Sequence, residues 1–290
     1  MKNSYLINGD FISMRLDRWI RKNVSDIPQS LIEKNIRKGN IKVNFKKVKS
    51  SYKLQNSDEI IIKNFNFIHK KTHYIKKAYL PTQSDIKSAS KFFIENNENF
   101  VVINKPSGIA VQSGTKSKKN ILDILSKSNE FENCTPFPVH RIDKETTGLL
   151  IVAKNRKYAQ LFTTLFRIRK IHKIYLCITL GTLEPKSGTL INDLIYYEGK
   201  KKTTLKAVTR YKVLDTNNNY SLVQLSPETG RKHQLRKQLL LNGCPVLGDN
   251  KYRFHDSIKK NNMLMLNAYK INFSIENIKH KYMAEPPEIF

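Results

Sequence analysis

The sequence predicts an α+β fold, with a mixed and mostly antiparallel sheet in a large domain and a small α/β domain before it. Two observations point to this class. Strand-like segments follow one another through hairpin turns and short helices, without the regular alternation of strand and helix that builds a parallel sheet. The chain of 290 residues, 39% of them hydrophobic and 26% charged, is also long enough for two packed domains of ordinary size.

The small domain is predicted to have its core in residues 14–63. A first helix is indicated by apolar residues with helical spacing at Leu16, Trp19, Ile20 and Val24. Ser30 and Glu33 have the spacing of a capping box, which predicts that they open a second helix, and Gly39 ends it. A strand with one basic face is predicted where apolar residues alternate with lysine and asparagine, at Ile41, Val43 and Phe45. A last short strand is predicted at residues 59–62.

The segment after the small domain is predicted to be a linker. It contains a basic run and Pro81, followed by a polar stretch through Ser90. We therefore predict a first domain over residues 1–75, a linker over residues 76–92 and a second domain over residues 93–290.

The large domain contains the other predicted elements. Strands are predicted at residues 100–104, 173–181, 203–214, 220–226 and 263–273, and asparagines 217–219 form a hairpin turn. Helices are predicted at residues 120–125 and 158–166. Residues 229–243 are predicted to begin as a turn and to continue as a helix that ends at Gly243. Residues 140–154, HRIDKETTGLLIVAK, combine a charged loop with a buried strand, and Gly148 permits the bend between them. A charged loop packed on a buried strand holds its side chains still, as a catalytic group requires.

The charge of the chain predicts a polyanionic partner. The chain has 52 Lys and Arg against 24 Asp and Glu, which gives a formal net charge of +28. Such a protein attracts nucleic acid or an anionic membrane surface. A biased genome would enrich lysine, but by itself it would not exclude acidic residues so strongly. We therefore favour nucleic acid.

The sequence also predicts a cytoplasmic protein without a membrane anchor. No stretch approaches the roughly 18 consecutive apolar residues of a membrane span, and the first 13 residues lack the apolar core of a signal peptide. The cysteines are Cys134, Cys177 and Cys244, which are too few and too far apart for a disulfide framework or a metal pair. We expect reduced thiols that serve as small apolar residues.

The common cofactor and metal motifs are absent from the sequence. It has no phosphate-binding Walker loop, no G-x-G-x-x-G, no H-E-x-x-H and no G-x-S-x-G. We predict no metal site and no small-molecule cofactor. An enzyme of this kind would rely on side chains alone, with a carboxylate, a phenol and a guanidinium as the candidates.

Residues 140–150, HRIDKETTGLL, closely resemble the signature of RluA-type pseudouridine synthases, H-R-L-D-x-x-T-S-G-L-L. Four further segments agree with the family in order and spacing: VINKPSG at 102–108, KIYL at 173–176, TGRKHQLR at 229–236 and GDNKY at 248–252. The resemblance spans about two hundred residues of the printed sequence. It implies the pseudouridine synthase fold for the large domain.

The resemblance also implies roles for individual residues. Asp143 is the carboxylate that acts on the uridine, on either the sugar or the base. Tyr175 offers a face for the base and a phenol for proton transfer, and Arg236, or else Arg231, pairs with Asp143. Arg141 handles the RNA where the target base is flipped out of its stack. Lys105 is assigned to RNA binding, or to holding its loop against the sheet.

Several residues have alternative interpretations or depart from the family pattern. Tyr175 could be a core tyrosine, and Arg231 or Arg236 could bind phosphate. We expect His140 and His233 to be structural or to contact RNA. Four departures from the family's usual residues are Ile142 in place of Leu, Thr147 in place of Ser, Lys237-Gln238 in place of Val-His and Asn267 in place of His.

The small domain resembles the ribosomal S4-like RNA-binding domain. The matching segments are MRLDRWI at 14–20, LIEKNIRKGNIKVN at 31–44 and DEI at 58–60. The resemblance implies phosphate contacts by Arg15, Arg18 and Lys42. An S4-like domain before the catalytic domain is typical of the RluC/RluD branch. It therefore implies a synthase for 23S ribosomal RNA, alone or in pre-ribosomal particles. The alternatives are a tRNA pseudouridine synthase and a non-catalytic RNA-binding ribosome-assembly factor.

Overall fold

The computed structural model describes residues 2–25, 27–63, 79–114, 117–198, 201–254 and 263–290. The chain divides into two compact units, Met1–Lys76 and Lys77–Phe290. Part of the predicted linker, up to residue 78, lies outside the described residues. Among the described residues, no helix is both long enough and apolar enough to cross a membrane.

The first unit consists of two helices and a three-stranded antiparallel sheet. Its elements are β1 (Lys2–Leu6), α1 (Leu16–Asn23), α2 (Gln29–Lys38), β2 (Ile41–Val43) and β3 (Glu59–Lys63), with strand order β1-β3-β2. The apolar face of α1, with Leu16, Trp19 and Ile20, is buried in one core with Ile32 and Ile36 of α2 and the inner side chains of the sheet. The helical spacing therefore predicts this core correctly.

Two details of the first unit differ from the sequence prediction. The N-cap of α2 is Pro28, without a side-chain cap, and Ser30 lies inside the helix, so the predicted capping box is wrong. The fixed φ of proline, here −55°, already sets the backbone at the start of the helix. Strand β1 was not predicted and pairs with β3 over five residues.

The second unit is built on a ten-stranded sheet. Its elements are α3 (Gln83–Ala89), β4 (Phe93–Asn96), β5 (Phe100–Lys105), α4 (Ile121–Leu125), β6 (Phe137–Pro138), β7 (Thr147–Ala153), α5 (Arg156–Arg167), β8 (His172–Leu180), β9 (Ser187–Glu198), β10 (Lys201–Asn217), β11 (Tyr220–Pro227), α6 (Gln234–Leu241), β12 (Leu266–Ile275) and β13 (Ile278–Met283). The strand order is β4-β5-β7-β12-β8-β11-β10-β9, with β6 on β7 and β13 on β12. In the described part of the sheet, β7 and β12 form the one parallel pair, so the predicted mixed and mostly antiparallel sheet is confirmed.

The second half of the predicted linker contains a helix. Thr82 caps α3 through a capping box with Asp85, and the backbone N–H of Tyr79 donates to Asp123 at 3.1 Å. Asp85 also pairs with Lys119 at 2.5 Å. These contacts attach residues 79–89 to the second unit. The polar residues that suggested a linker instead cap α3 and form the contacts with Asp123 and Lys119.

The core of the second unit consists of apolar clusters on the faces of the sheet. Phe162 of α5 packs edge-on against Phe100 and Phe273, with ring centroids 5.2 and 5.3 Å apart. Cys177 and Cys244 are buried in a cluster that includes Leu235 and Leu239 of α6. These clusters hold the carboxyl end of β5, the amino end of β7, the strand β8 and the start of α6 in fixed positions.

Candidate active site

Two adjoining cavities open on the second unit. The larger is a cleft of 1160 Å³ and the smaller has a volume of 380 Å³. Both are lined by residues 141–143, His233 and Arg236, so Asp143 lies where the cavities meet. The wall of the larger cleft also carries a series of basic side chains: Arg167, Arg169, Lys173, Arg210 and Arg231.

The loop that carries Asp143 is fixed by β7, the strand that follows it. All seven residues of β7 are buried, and Ile142 before it is 7% exposed. Gly148 has φ +100°, and a Cβ there would lie 2.4 Å from the carbonyl oxygen of Ala268 on β12. Glycine is therefore required for the parallel pair that anchors the loop.

Lys105, at the end of β5, supports the same loop from beneath. Its side chain has no exposed surface, and its ammonium donates to the carbonyl oxygens of Pro106 at 2.7 Å, Ile109 at 3.0 Å and Lys144 at 3.1 Å. Burial lowers its pKa to about 7, while the charges of Glu145 and Asp143 act in the opposite direction. The prediction that Lys105 binds RNA is therefore wrong, and its alternative role of holding the loop is the one observed.

His140 also has a structural position. Its Nε2 accepts the backbone N–H of Ile151 at 2.9 Å, and its ring stacks on Phe166 at a centroid distance of 4.6 Å. Burial and the nearby charge of Lys173 lower its pKa to about 3. His140 is thus a neutral acceptor that ties the loop to β7 and α5.

Arg236, on the first turn of α6, is held mainly by Asp249. Its Nε and Nη2 donate to the two carboxylate oxygens of Asp249 at 2.6 and 2.7 Å. The remaining nitrogen, Nη1, lies 3.4 Å from Asp143 and 3.6 Å from Glu145. A bidentate pair fixes the guanidinium plane and directs its third nitrogen towards Asp143.

Of the two arginines that the sequence proposed as partners of Asp143, Arg236 is thus the one in contact. Arg231 lines the cleft, but its Nε donates to the carbonyl oxygen of Lys206 at 3.2 Å. Arg141 lines both cavities with an exposed side chain.

Tyr175, on β8, lines the cleft. Within the described ranges, its hydroxyl has no hydrogen-bond partner. Burial raises the pKa of the phenol above its ordinary value, and the charge of Asp143 raises it further. The ring packs against two of the apolar clusters, which fixes its plane. Tyr175 therefore presents a neutral and unpaired hydroxyl to the cavity.

A histidine and a second tyrosine complete the surroundings of Asp143. His233 has left-handed backbone angles, φ 53° and ψ 32°, and precedes α6. Its Nε2 lies 3.7 Å from Asp143, and its Nδ1 lies 2.8 Å from the hydroxyl of Tyr252. Asp249 and Tyr252 were not predicted as site residues, although the GDNKY segment that contains them was a signal for both.

The basic residues predicted in the first unit have different environments. Arg18 is exposed and Lys42 is half-buried. Arg15 is paired with Asp17 at 2.6 Å, and its side chain is 49% exposed. Asp17 therefore competes with any phosphate for the Arg15 guanidinium, whereas Arg18 is open to solvent.

Comparison with known proteins gives consistent matches. The sequence model of the RNA pseudouridylate synthase family matches residues 99–241, which include Asp143, Tyr175, His233 and Arg236. Ribosomal large subunit pseudouridine synthase C of Rickettsia conorii is 33% identical over 282 residues, 91% of this chain and 90% of that protein. The protein of the same name from Buchnera aphidicola is 31% identical, over 98% of this chain and 93% of that protein. A solved structure, human RNA pseudouridylate synthase domain containing 4, is similar with a TM-score of 0.61 at 26% identity, covering 71% of this chain and 92% of that chain.

Proposed function

Because this chain belongs to the family of RNA pseudouridylate synthases, we propose that it modifies uridines of large-subunit (23S) ribosomal RNA and that Asp143 carries out the reaction. The chain is an enzyme that isomerises uridine to pseudouridine. The reaction breaks the N–C bond between uracil and ribose, turns the base and joins it again through carbon. Substrate and product have the same atoms and the same oxidation state, so the chemistry can be carried by side chains alone.

One observation carries the assignment of Asp143. Its carboxylate lies where the two cavities meet, 3.4 Å from the fixed guanidinium of Arg236, with the unpaired hydroxyl of Tyr175 in the same cleft. A carboxylate held in this way keeps one orientation as a nucleophile or as a base towards the bound nucleoside. Arg236 stabilises its charge, and Asp249 keeps Arg236 in place.

In this proposal Tyr175 contacts the uracil base. Its ring gives the uracil a flat apolar surface, and its neutral hydroxyl can relay a proton to or from the turned base. The raised pKa favours the protonated phenol throughout the physiological range. Catalysis therefore does not require a charged phenolate in the resting enzyme.

RNA is bound by the basic wall of the cleft and by the first unit. A base inside a helix is inaccessible, so the target uridine must leave its stack. The exposed Arg141, beside Asp143, fills the vacated space, and Arg231 contacts the phosphates. We propose that the first unit is an S4-like RNA-binding domain in which Arg18 and Lys42, together with Arg15 after release from Asp17, contact the RNA backbone.

The choice of large-subunit RNA, free or in pre-ribosomal particles, rests on the names of the relatives and on the net charge of +28. The test is to replace Asp143 with Asn and to map pseudouridine in ribosomal and transfer RNA of cells that lack the wild-type protein. The exposed Asp193 on β9, replaced with Asn, is the matched control.

We expect large-subunit sites to disappear in the D143N variant and to remain in the D193N variant. Persistence of every site in D143N would refute the role of Asp143. Loss of sites in transfer RNA alone would refute the proposed substrate.

A further inference from the structure

We propose that His233 is a positioning residue for Asp143, and that Tyr252 holds its ring in the tautomer that carries hydrogen on Nε2. This inference rests on the proposed role of Asp143. His233 then supplies a second hydrogen-bond donor for Asp143, in addition to Arg236. Each oxygen of the Asp143 carboxylate then faces a different donor.

The geometry around the carboxylate is two-sided. Arg236 Nη1 lies 3.4 Å from Oδ2 of Asp143, and His233 Nε2 lies 3.7 Å from Oδ1. The second distance is longer than a hydrogen bond, and contacts of this kind tighten when substrate fills an active site. Once the His233 contact has tightened, donors on both sides oppose rotation of the carboxylate about its Cβ–Cγ bond.

The tautomer follows from the partners of the two ring nitrogens. A carboxylate can only accept, so the nitrogen that faces Asp143 must carry the hydrogen. Nδ1 is then an acceptor, and the hydroxyl of Tyr252, 2.8 Å away, is its donor. Burial raises the pKa of Tyr252, which keeps that hydroxyl protonated. The two aromatic rings meet edge to face at a centroid distance of 5.5 Å, which fixes the imidazole plane.

The charges around His233 favour the neutral ring. Burial lowers its pKa below the ordinary value, and the charge of Asp143 acts in the opposite direction. Three cations lower the pKa further, Arg236 and Lys232 from the α6 region and Lys251 from the loop that carries Tyr252. A neutral imidazole orients Asp143 without neutralising its charge, which the reaction needs.

The backbone of His233 is consistent with a constrained role. Its φ of 53° is in the left-handed region, which is unfavourable for a non-glycine residue. Glycine would adopt this conformation without that strain. At this position the imidazole contacts the hydroxyl of Tyr252 and faces the carboxylate of Asp143.

The first experiment compares two variants of equal length, His233→Gln and His233→Met. Gln retains an N–H donor near the position of Nε2, and Met fills the same space without one. We expect His233→Met to lower kcat by about ten-fold to a hundred-fold, as for loss of a hydrogen bond to a charged group. KM and RNA affinity should change less than about three-fold, and His233→Gln should recover most of kcat. Wild-type kcat in His233→Met, or equal losses in both variants, would overturn the proposal.

The second experiment measures the tautomer directly. Long-range proton–nitrogen NMR spectra of the whole chain at pH 7.5 should show His233 as the neutral Nε2–H form, its signals identified by their loss in His233→Gln. In Tyr252→Phe we expect a mixture of tautomers and a reduced kcat, whereas the exposed Tyr197→Phe on β9 should behave as the wild type. A charged ring or an Nδ1–H tautomer in the wild type would overturn the assignment.

The two proposals fail in different ways. An inactive D143N variant together with a fully active His233→Met variant overturns the role of His233 alone. An active D143N variant overturns the role of Asp143 and this inference with it, whatever the tautomer of His233.

Discussion

Replacing Asp249 with Ala should both destabilise the second unit and reduce catalysis. The Asp249 side chain is fully buried and accepts two hydrogen bonds from Arg236. Its Oδ1 also accepts the backbone N–H groups of Lys251 and Tyr252, each at 2.8 Å. The substitution therefore leaves one buried cation and two backbone donors without their main acceptor.

The magnitude follows from the burial of the pair. The Arg236 side chain is 5% exposed, and removal of one member of a buried ion pair typically costs about 3–5 kcal/mol. Asp143 and Glu145 are the nearest other anions, at 3.4 and 3.6 Å, and can move towards the guanidinium. That movement recovers part of the stability but draws Asp143 out of its position. We expect a loss of about 3 kcal/mol in the free energy of unfolding, at the lower end of this range, together with a lower kcat.

The assay is urea unfolding followed by far-UV circular dichroism and by fluorescence. Trp19 is the sole tryptophan and is buried in the first unit, so its fluorescence identifies the transition of that unit. The other transition seen by circular dichroism then belongs to the second unit. Asp193→Ala, at an exposed position, is the control. An unfolding free energy of Asp249→Ala within about 1 kcal/mol of the wild type would refute the reasoning about the buried pair.

Two further predictions concern the supports of the Asp143 loop. Gly148→Ala should lower Tm and activity far more than Gly108→Ala. Both glycines have positive φ, but only a Cβ at position 148 would meet the backbone of Ala268. Similar thermal melts of the two variants would contradict this. Burial lowers the pKa of Lys105 in the folded state to about 7, whereas lysine in the unfolded chain has a pKa of 10.5. The buried charge therefore destabilises the fold fully below pH 7, and this destabilisation is lost as the pH rises from 7 towards 10.5. The stability of the wild type relative to Lys105→Met should therefore increase between about pH 7 and 10, by at most about 1.4 kcal/mol per pH unit, in urea titrations at several pH values. A difference that is independent of pH would show that the amine keeps one protonation state over that range.

The sequence was most informative where the local pattern and the local environment agree. Residues 149–153 are apolar at every position because β7 is buried on both faces, so this strand and the charged loop before it were predicted together. Strand β9 was missed because apolar residues lie on both of its faces. Leu190 and Leu194 point inward, while Ile191 is 59% exposed, and the alternation that marks a strand is lost.

The contacts of buried polar residues were beyond the sequence. The type of Lys105 suggests an RNA contact, and only the fold shows that three carbonyl oxygens surround its ammonium. Two departures from the family pattern, Thr147 and Asn267, lie far apart in sequence but are hydrogen-bonded to each other at 2.9 Å. A third, Gln238, is fully buried and accepts from Thr209 at 2.7 Å. Such pairings depend on the order of strands in the sheet, which local patterns do not determine.

The position of β12 has a consequence for the synthesis of the protein. This strand is synthesised after β4–β11, yet it lies between β7 and β8 in the middle of the sheet. Until residues 266–275 are available, β4-β5-β7 and β8-β11-β10-β9 are two separate pieces of the sheet, with Asp143 on the loop before β7 in the first and Tyr175 on β8 in the second. Sheets closed by such distant segments fold slowly and leave strand edges open in the meantime. The cleft that holds both the carboxylate of Asp143 and the phenol of Tyr175 is therefore complete only when β12 pairs with β7 and β8.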